Sequence, residues 1–110
     1  MEIREYVTQD DRSPFGEWFA GLGSPASEKV AAALYRLGIG NLSNVKSVGS
    51  GVLEFRINFG PGYRIYFSRD GAMIVVLLGG GTKQRQERDI RQAIERWADY
   101  RGRRRAREWC

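Results

Sequence analysis

The chain of 110 residues contains no histidine and a single cysteine, Cys110. Without histidine it lacks the usual general base at neutral pH and the commonest metal ligand. One terminal cysteine excludes a disulfide framework within the chain, and the scarcity of clustered acids argues against a zinc or magnesium site. No serine–histidine pair exists for acyl transfer. Neither a metal nor a cofactor is therefore expected. No apolar run approaches the length needed to cross a bilayer, and the first residues lack the apolar core of a signal peptide, which predicts a cytoplasmic protein with no membrane partner. Gly79-Gly80-Gly81-Thr82-Lys83 is glycine-rich but lacks the spacing of a phosphate-binding loop, so nucleotide hydrolysis is rejected.

What the chain does have is an uneven excess of positive charge. Its formal net charge is +5, yet basic and acidic residues balance from Met1 to Thr82. The whole excess lies from Lys83 onward, which favours nucleic acid, an acidic protein or an anionic surface as companion.

Residues 51–86 organise the rest. Leu53, Phe55, Ile57 and Phe59 alternate with Val52, Glu54, Arg56 and Asn58, and Tyr63, Ile65 and Phe67 alternate with Arg64 and Tyr66. Alternation of this kind gives strands with one buried face. The other, open face then carries Glu54, Arg56, Arg64 and Tyr66. Met73 to Leu78 is apolar throughout, as in a strand covered on both sides, and the glycines after it are expected to end the strand and deliver Lys83 and Arg85 to the sheet edge. Upstream, Ile3 to Thr8 reads as an opening strand. Ser13-Pro14 and Ser24-Pro25 each signal a helix start, the second helix closing near Gly38. Val45 to Val48 reads as a short strand, and Glu87 to Tyr100 as a final helix with Ile90, Ala93, Ile94 and Trp97 on one face and Arg88, Arg91, Glu95 and Arg96 on the other. Trp18, Phe19 and Trp97 are expected in the core. The arginine run after Tyr100 is expected to be disordered, or at most a loose helical extension. This gives a single α+β domain over residues 1–100, ordered β-α-α-β-β-β-α with a helical hairpin on an antiparallel sheet, and a basic tail over residues 101–110.

RNA scission needs none of the missing groups, because the ribose 2′-OH is an internal nucleophile. A site must align it, take its proton and stabilise charge on phosphorus, and arginine suits the last task through its fork of donors. A lysine or tyrosine in a cationic pocket can have a lowered pKa and relay protons. Each candidate, taken singly, is more simply a solvated or cross-strand-paired side chain, with Glu54 a ready partner for Arg56 or Arg64. Their sharing of one face is what raises a phosphate-handling surface as an equal alternative.

The segments Leu53-Glu54-Phe55-Arg56, Gly60-Pro61-Gly62-Tyr63-Arg64-Ile65-Tyr66-Phe67 and Leu77-Leu78-Gly79-Gly80-Gly81-Thr82-Lys83-Gln84 together resemble the addiction-module killer proteins, HigB-like members of the RelE/ParE toxin superfamily. The resemblance spans roughly Tyr6 to Tyr100 and leaves the arginine tail outside. It implies the toxin of a type II toxin–antitoxin system, neutralised in a hetero-oligomer by a helix-turn-helix antitoxin, and an endoribonuclease that cuts mRNA on the ribosome and so inhibits translation. Carried onto this chain, it implies Arg64 for phosphate stabilisation, Arg56 for substrate positioning, Lys83 or Tyr66 for proton handling, and Lys46, Arg85 and Glu54 along the RNA. The absence of histidine departs from relatives that use one. Two alternatives stand beside this reading: a ParE-like inhibitor of DNA gyrase without nuclease activity, and a non-toxic basic nucleic-acid-binding domain.

Overall fold

The computed structural model describes the backbone of residues 1–109 and the side-chain surroundings of residues 1–106; Cys110 lies outside the described residues. The elements run β1 (Glu2–Glu5), α1 (Pro14–Ala20), α2 (Ala26–Gly38), β2 (Val45–Gly49), β3 (Val52–Ile57), β4 (Tyr63–Arg69), β5 (Ile74–Thr82), a 3-10 turn (Lys83–Arg85) and α3 (Gln86–Trp109). The class is α+β, as the order of elements predicts. No helix among the described residues is long and apolar enough to cross a membrane.

Local chemistry explains the first elements. The Ser13 hydroxyl accepts from the Gly16 amide at 2.9 Å, and Pro14 occupies the first turn, where no amide donor is needed. The second start signal works differently. Ser24 gives α2 no side-chain cap, and its hydroxyl donates instead to Glu28 at 3.3 Å.

Five strands form one sheet in the order β1-β5-β4-β3-β2. Strands β2 to β5 make the expected antiparallel meander, with the short Val45 strand added at its edge. The sheet is nevertheless mixed, not antiparallel throughout, because β1 pairs in parallel with β5. Helices α1 and α2 bury Phe15, Val30 and Leu37 against Phe55, Ile65, Phe67 and Leu77.

The opposite face is not open. Helix α3 lies across it, packing Ala93 and Trp97 on Val52, Tyr66, Val76 and Leu78. The alternation read from the strands is correct, but a polar residue type does not say whether its face meets water or a helix.

Strand β5 also continues through its glycines. Tyr66 pairs with Gly79 and Phe67 with Leu77, so a bulge shifts the register there. On one side of the strand Trp18 lies against Gly80, and on the other the Asp89 carboxylate lies against Gly81, each where a Cβ would stand. These glycines let α1 and α3 approach the strand from both sides; they do not end it.

Helix α3 is 24 residues long and carries the arginine run with it to Trp109. Arg103 donates to Asp99 at 2.7 Å and to the Val7 carbonyl at 2.5 Å, with its guanidinium 5.2 Å from the Tyr6 ring centroid. Arg104 pairs with Asp70. The pair with Asp70 and the bond to Val7 tie the run to the body, and of the two expectations for it, disorder or a helical extension, the helix is what forms.

Candidate nucleic-acid interface at the sheet end

At one end of the sheet, where β4 begins and β5 ends, four strands bring basic residues into a row. Lys46 on β2 stands opposite Glu54 on β3, Glu54 opposite Tyr66 on β4, and Arg56 on β3 opposite Arg64 on β4. The Lys83 amide donates to the Gly62 carbonyl at 3.0 Å, which fixes the start of the 3-10 turn beside β4. Neighbouring strands lie about 4.8 Å apart, so from Lys46 on β2 to Lys83 at the end of β5 the residues cross three strand spacings, about 14 Å.

The row has a buried floor. Glu54 is fully buried and Arg64 nearly so. Arg64 Nε lies 3.5 Å from Glu54 Oε2, and its Nη1 donates to the Gly62 carbonyl at 2.9 Å. Gln86, from the first turn of α3, donates to the same Glu54 oxygen at 2.9 Å. Arg56 is 48% exposed, with its Nε 4.0 Å from Glu54 Oε1. One buried carboxylate therefore sits between two arginines whose strand positions face each other, an arrangement that would be repulsive without it.

Tyr66 lies at the back of this cluster, fully buried, and its hydroxyl has no hydrogen-bond partner among the described residues. Its pKa is pushed up, first by burial and then by the negative charges of Glu54 and Asp89, against the opposing effect of Arg64. The expectation of a tyrosine with lowered pKa is thus reversed: a pocket holding two carboxylates is not strongly cationic, and the phenol keeps its proton. Asp89, buried over Gly81, is also raised, chiefly by burial, although Arg88, Arg85 and Arg96 pull it down.

The seven residues singled out from the sequence thus divide. Glu54, Arg64 and Tyr66 are brought together, but beneath α3; Lys46, Arg56, Lys83 and Arg85 are exposed around them. Beside Arg56 a shallow groove is completed by Ser43, Asn44 and Asn58, and beyond Lys83 and Arg85 the surface continues through Arg88 and Arg91.

Gln86, Asp89 and Arg96 were missed as site residues. Arg96, expected on the outer face of the helix, is half-buried and donates to the Leu78 carbonyl at 2.9 Å, and burial lowers its pKa. A signal for them exists: positions 86, 89, 93, 96 and 97 follow the same three- and four-residue spacing as the apolar stripe of α3.

No protein-family model matches the chain. An uncharacterized protein of Haemophilus influenzae is 41% identical to it over 80 residues, which is 72% of this chain and 81% of that one.

Proposed function

This chain belongs to one family with the Haemophilus influenzae protein, and for it we propose the function of a type II toxin of the RelE/ParE superfamily that cuts mRNA on the ribosome. The observation that carries this reading is the exposed row of Lys46, Arg56, Lys83 and Arg85 across one sheet end, underpinned by the buried Glu54–Arg64 pair. The element order and the motifs quoted from β3, β4 and β5 support it.

In this proposal the substrate supplies the nucleophile. The ribose 2′-oxygen bonds to the adjacent phosphorus as its proton leaves, the bond from phosphorus to the 5′-oxygen breaks, and that oxygen gains a proton. Arg56, the exposed arginine, stabilises charge on phosphorus. Arg64 is a positioning residue: tied to Gly62 and Glu54, it props Arg56 through the shared carboxylate. Lys83 donates the proton to the leaving 5′-oxygen, and solvent water takes the one from the 2′-hydroxyl, since Tyr66 is buried and holds its proton. Lys46 and Arg85 grip flanking phosphates. The partner that silences the toxin is a helix-turn-helix antitoxin encoded beside it, and the site of action is the cytoplasm.

The burial of Glu54, Arg64 and Tyr66 under α3 favours a second reading, a ParE-like gyrase inhibitor that uses the fold without cutting RNA. Induced expression in growing cells separates the two. Codon-phased mRNA 5′ ends that vanish in Arg56→Gln support the nuclease. Growth arrest with intact mRNA and accumulating DNA breaks supports the gyrase inhibitor. No arrest leaves a non-toxic basic nucleic-acid-binding domain.

A further inference from the structure

Helix α3 is held to the body in two different ways along its length. From Ile90 to Trp97 an apolar stripe does it, with Ile90, Ala93, Ile94 and Trp97 packed against the sheet. Beyond Tyr100 that stripe ends. Of residues 101–106 only Arg103 is not exposed, and arginines make the contacts there. Arg103 donates to Asp99 at 2.7 Å and to the Val7 carbonyl, and Arg104 pairs with Asp70. The two carboxylates are themselves anchored: Asp99 accepts from the Tyr6 hydroxyl at 2.7 Å, and Asp70 from the Tyr100 hydroxyl at 2.8 Å.

Beneath these last turns lies a cavity of about 570 Å³, with Val7, Ile74, Tyr100, Arg103 and Arg104 on its walls. Arg103 Nε is buried there without a hydrogen-bond partner among the described residues. The helix is also weak at this point. A Cβ on Gly102 would meet nothing within 4 Å, so no close approach requires the glycine. Glycine in a helix interior lowers the helical equilibrium about fivefold relative to alanine. Arg101 stands one turn from Arg104 and Arg105, and like charges at those spacings oppose the helix. What offsets both penalties is the pairing with Asp70 and Asp99.

We infer that residues 101–106 form an ionic strap over this cavity, closed in this structure by Asp70 and Asp99, and that it opens by melting of the helix from Gly102 onward when those pairs are screened. Salt discriminates between the two parts of α3. The screening length falls from about 10 Å at 0.1 M to about 3 Å at 1 M, which weakens ion pairs at exposed arginines but not apolar packing. Opening therefore stops at Tyr100, whose ring stacks on Trp97 with centroids 5.5 Å apart. It uncovers Val7 and Ile74 and converts a helix fixed on the body into a flexible basic arm, an order-to-disorder switch. The strap does not depend on the cleavage reading.

The test is amide hydrogen exchange of the full chain, resolved by residue, at one pH in about 0.05 M and about 0.5 M sodium chloride. Exchange from Arg103 to Ala106 is expected to quicken about fivefold or more at the higher salt, while Ala93 to Trp97 changes less than about twofold. Asp70→Asn is expected to give fast exchange in the strap at both concentrations and to remove most of its salt response. Gly102→Ala is expected to slow exchange in the strap about fivefold at high salt. That variant keeps the fold, because its methyl group meets nothing. An equal salt response in both segments overturns the inference, and so does strap exchange that ignores salt, which is ordinary fraying. Exchange in Gly102→Ala that matches the parent overturns it as well.

Discussion

Arg64 Nε and Glu54 Oε2 stand 3.5 Å apart with both side chains buried. That separation is within ion-pair reach but longer than a normal hydrogen bond, and among the described residues Arg64 Nε and Glu54 Oε1 are both left without hydrogen-bond partners. Breaking such a pair from one side strands a buried charge, at a cost of about 3–5 kcal/mol. Arg64→Ala is therefore expected to lower the urea midpoint severely. Joint replacement, Glu54→Leu with Arg64→Met, is expected to be much milder, and a double-mutant cycle reads the difference. Additive losses would mean that the two groups are not coupled. Loss of toxicity in Arg64→Ala then reports folding first, which makes exposed Arg56 the cleaner probe of chemistry.

Proton handling can be tested at Tyr66. Its hydroxyl is buried, its pKa is raised, and beside Glu54 it has at most a weak, poorly aligned contact among the described residues, so Tyr66→Phe removes little hydrogen bonding. Stability is expected to change by less than about 1 kcal/mol, and mRNA cleavage to persist. Lys83→Met is expected to cost about 10²- to 10⁴-fold in cleavage rate, the usual loss of a general acid or base. Cleavage abolished by Tyr66→Phe in a fully folded protein would return the proton to the phenol.

The strands were legible because alternation at Leu53, Phe55 and Ile57 and at Tyr63, Ile65 and Phe67 reports a buried face directly. What covers the other face was not legible from those strands. It was written in α3, whose stripe of Ile90, Ala93 and Trp97 needed a surface to bury against, while α1 and α2 already occupied the first face. From the strands alone Glu54, Arg64 and Tyr66 form a solvent-facing set, because polar type outweighs position. The glycines of β5 misled for a related reason. Glycine marks both turns and close approaches, and only the partners Trp18 and Asp89 show which applies. In the tail, composition argued for disorder, but Asp70 and Asp99, distant from and adjacent to the arginines in sequence, supply the pairing charges.

The close approaches at Gly80 and Gly81 make sharp predictions. Gly80→Ala drives a methyl group into the Trp18 ring, and Gly81→Ala drives one into the Asp89 carboxylate. Each is expected to destabilise by about 1–3 kcal/mol, the range for overpacking. Trp18→Leu is expected to recover part of the Gly80→Ala loss, and Asp89→Ala part of the Gly81→Ala loss. Thermal melts of the single and paired variants measure both recoveries. Independent, additive losses would mean that neither helix is held by the contact assigned to it.

Asp89 gives the fold a pH dependence whose sign can be worked out. Burial raises its pKa in the folded chain above the ordinary carboxylate value of 3.8. The folded state thus binds the proton more tightly than the unfolded state. Stability contributed by this group is full below the unfolded pKa and is lost as pH rises through the folded one. Above that window the ionised carboxylate is a burden, opposed by Arg85, Arg88 and Arg96. Asp89→Asn is expected to raise the urea midpoint at pH 7 relative to the parent and to narrow the gap between the two at pH 4. The comparison of variant with parent cancels the titration of the other carboxylates. A variant less stable at pH 7 than at pH 4, relative to the parent, would mean that the arginines more than offset the burial of Asp89.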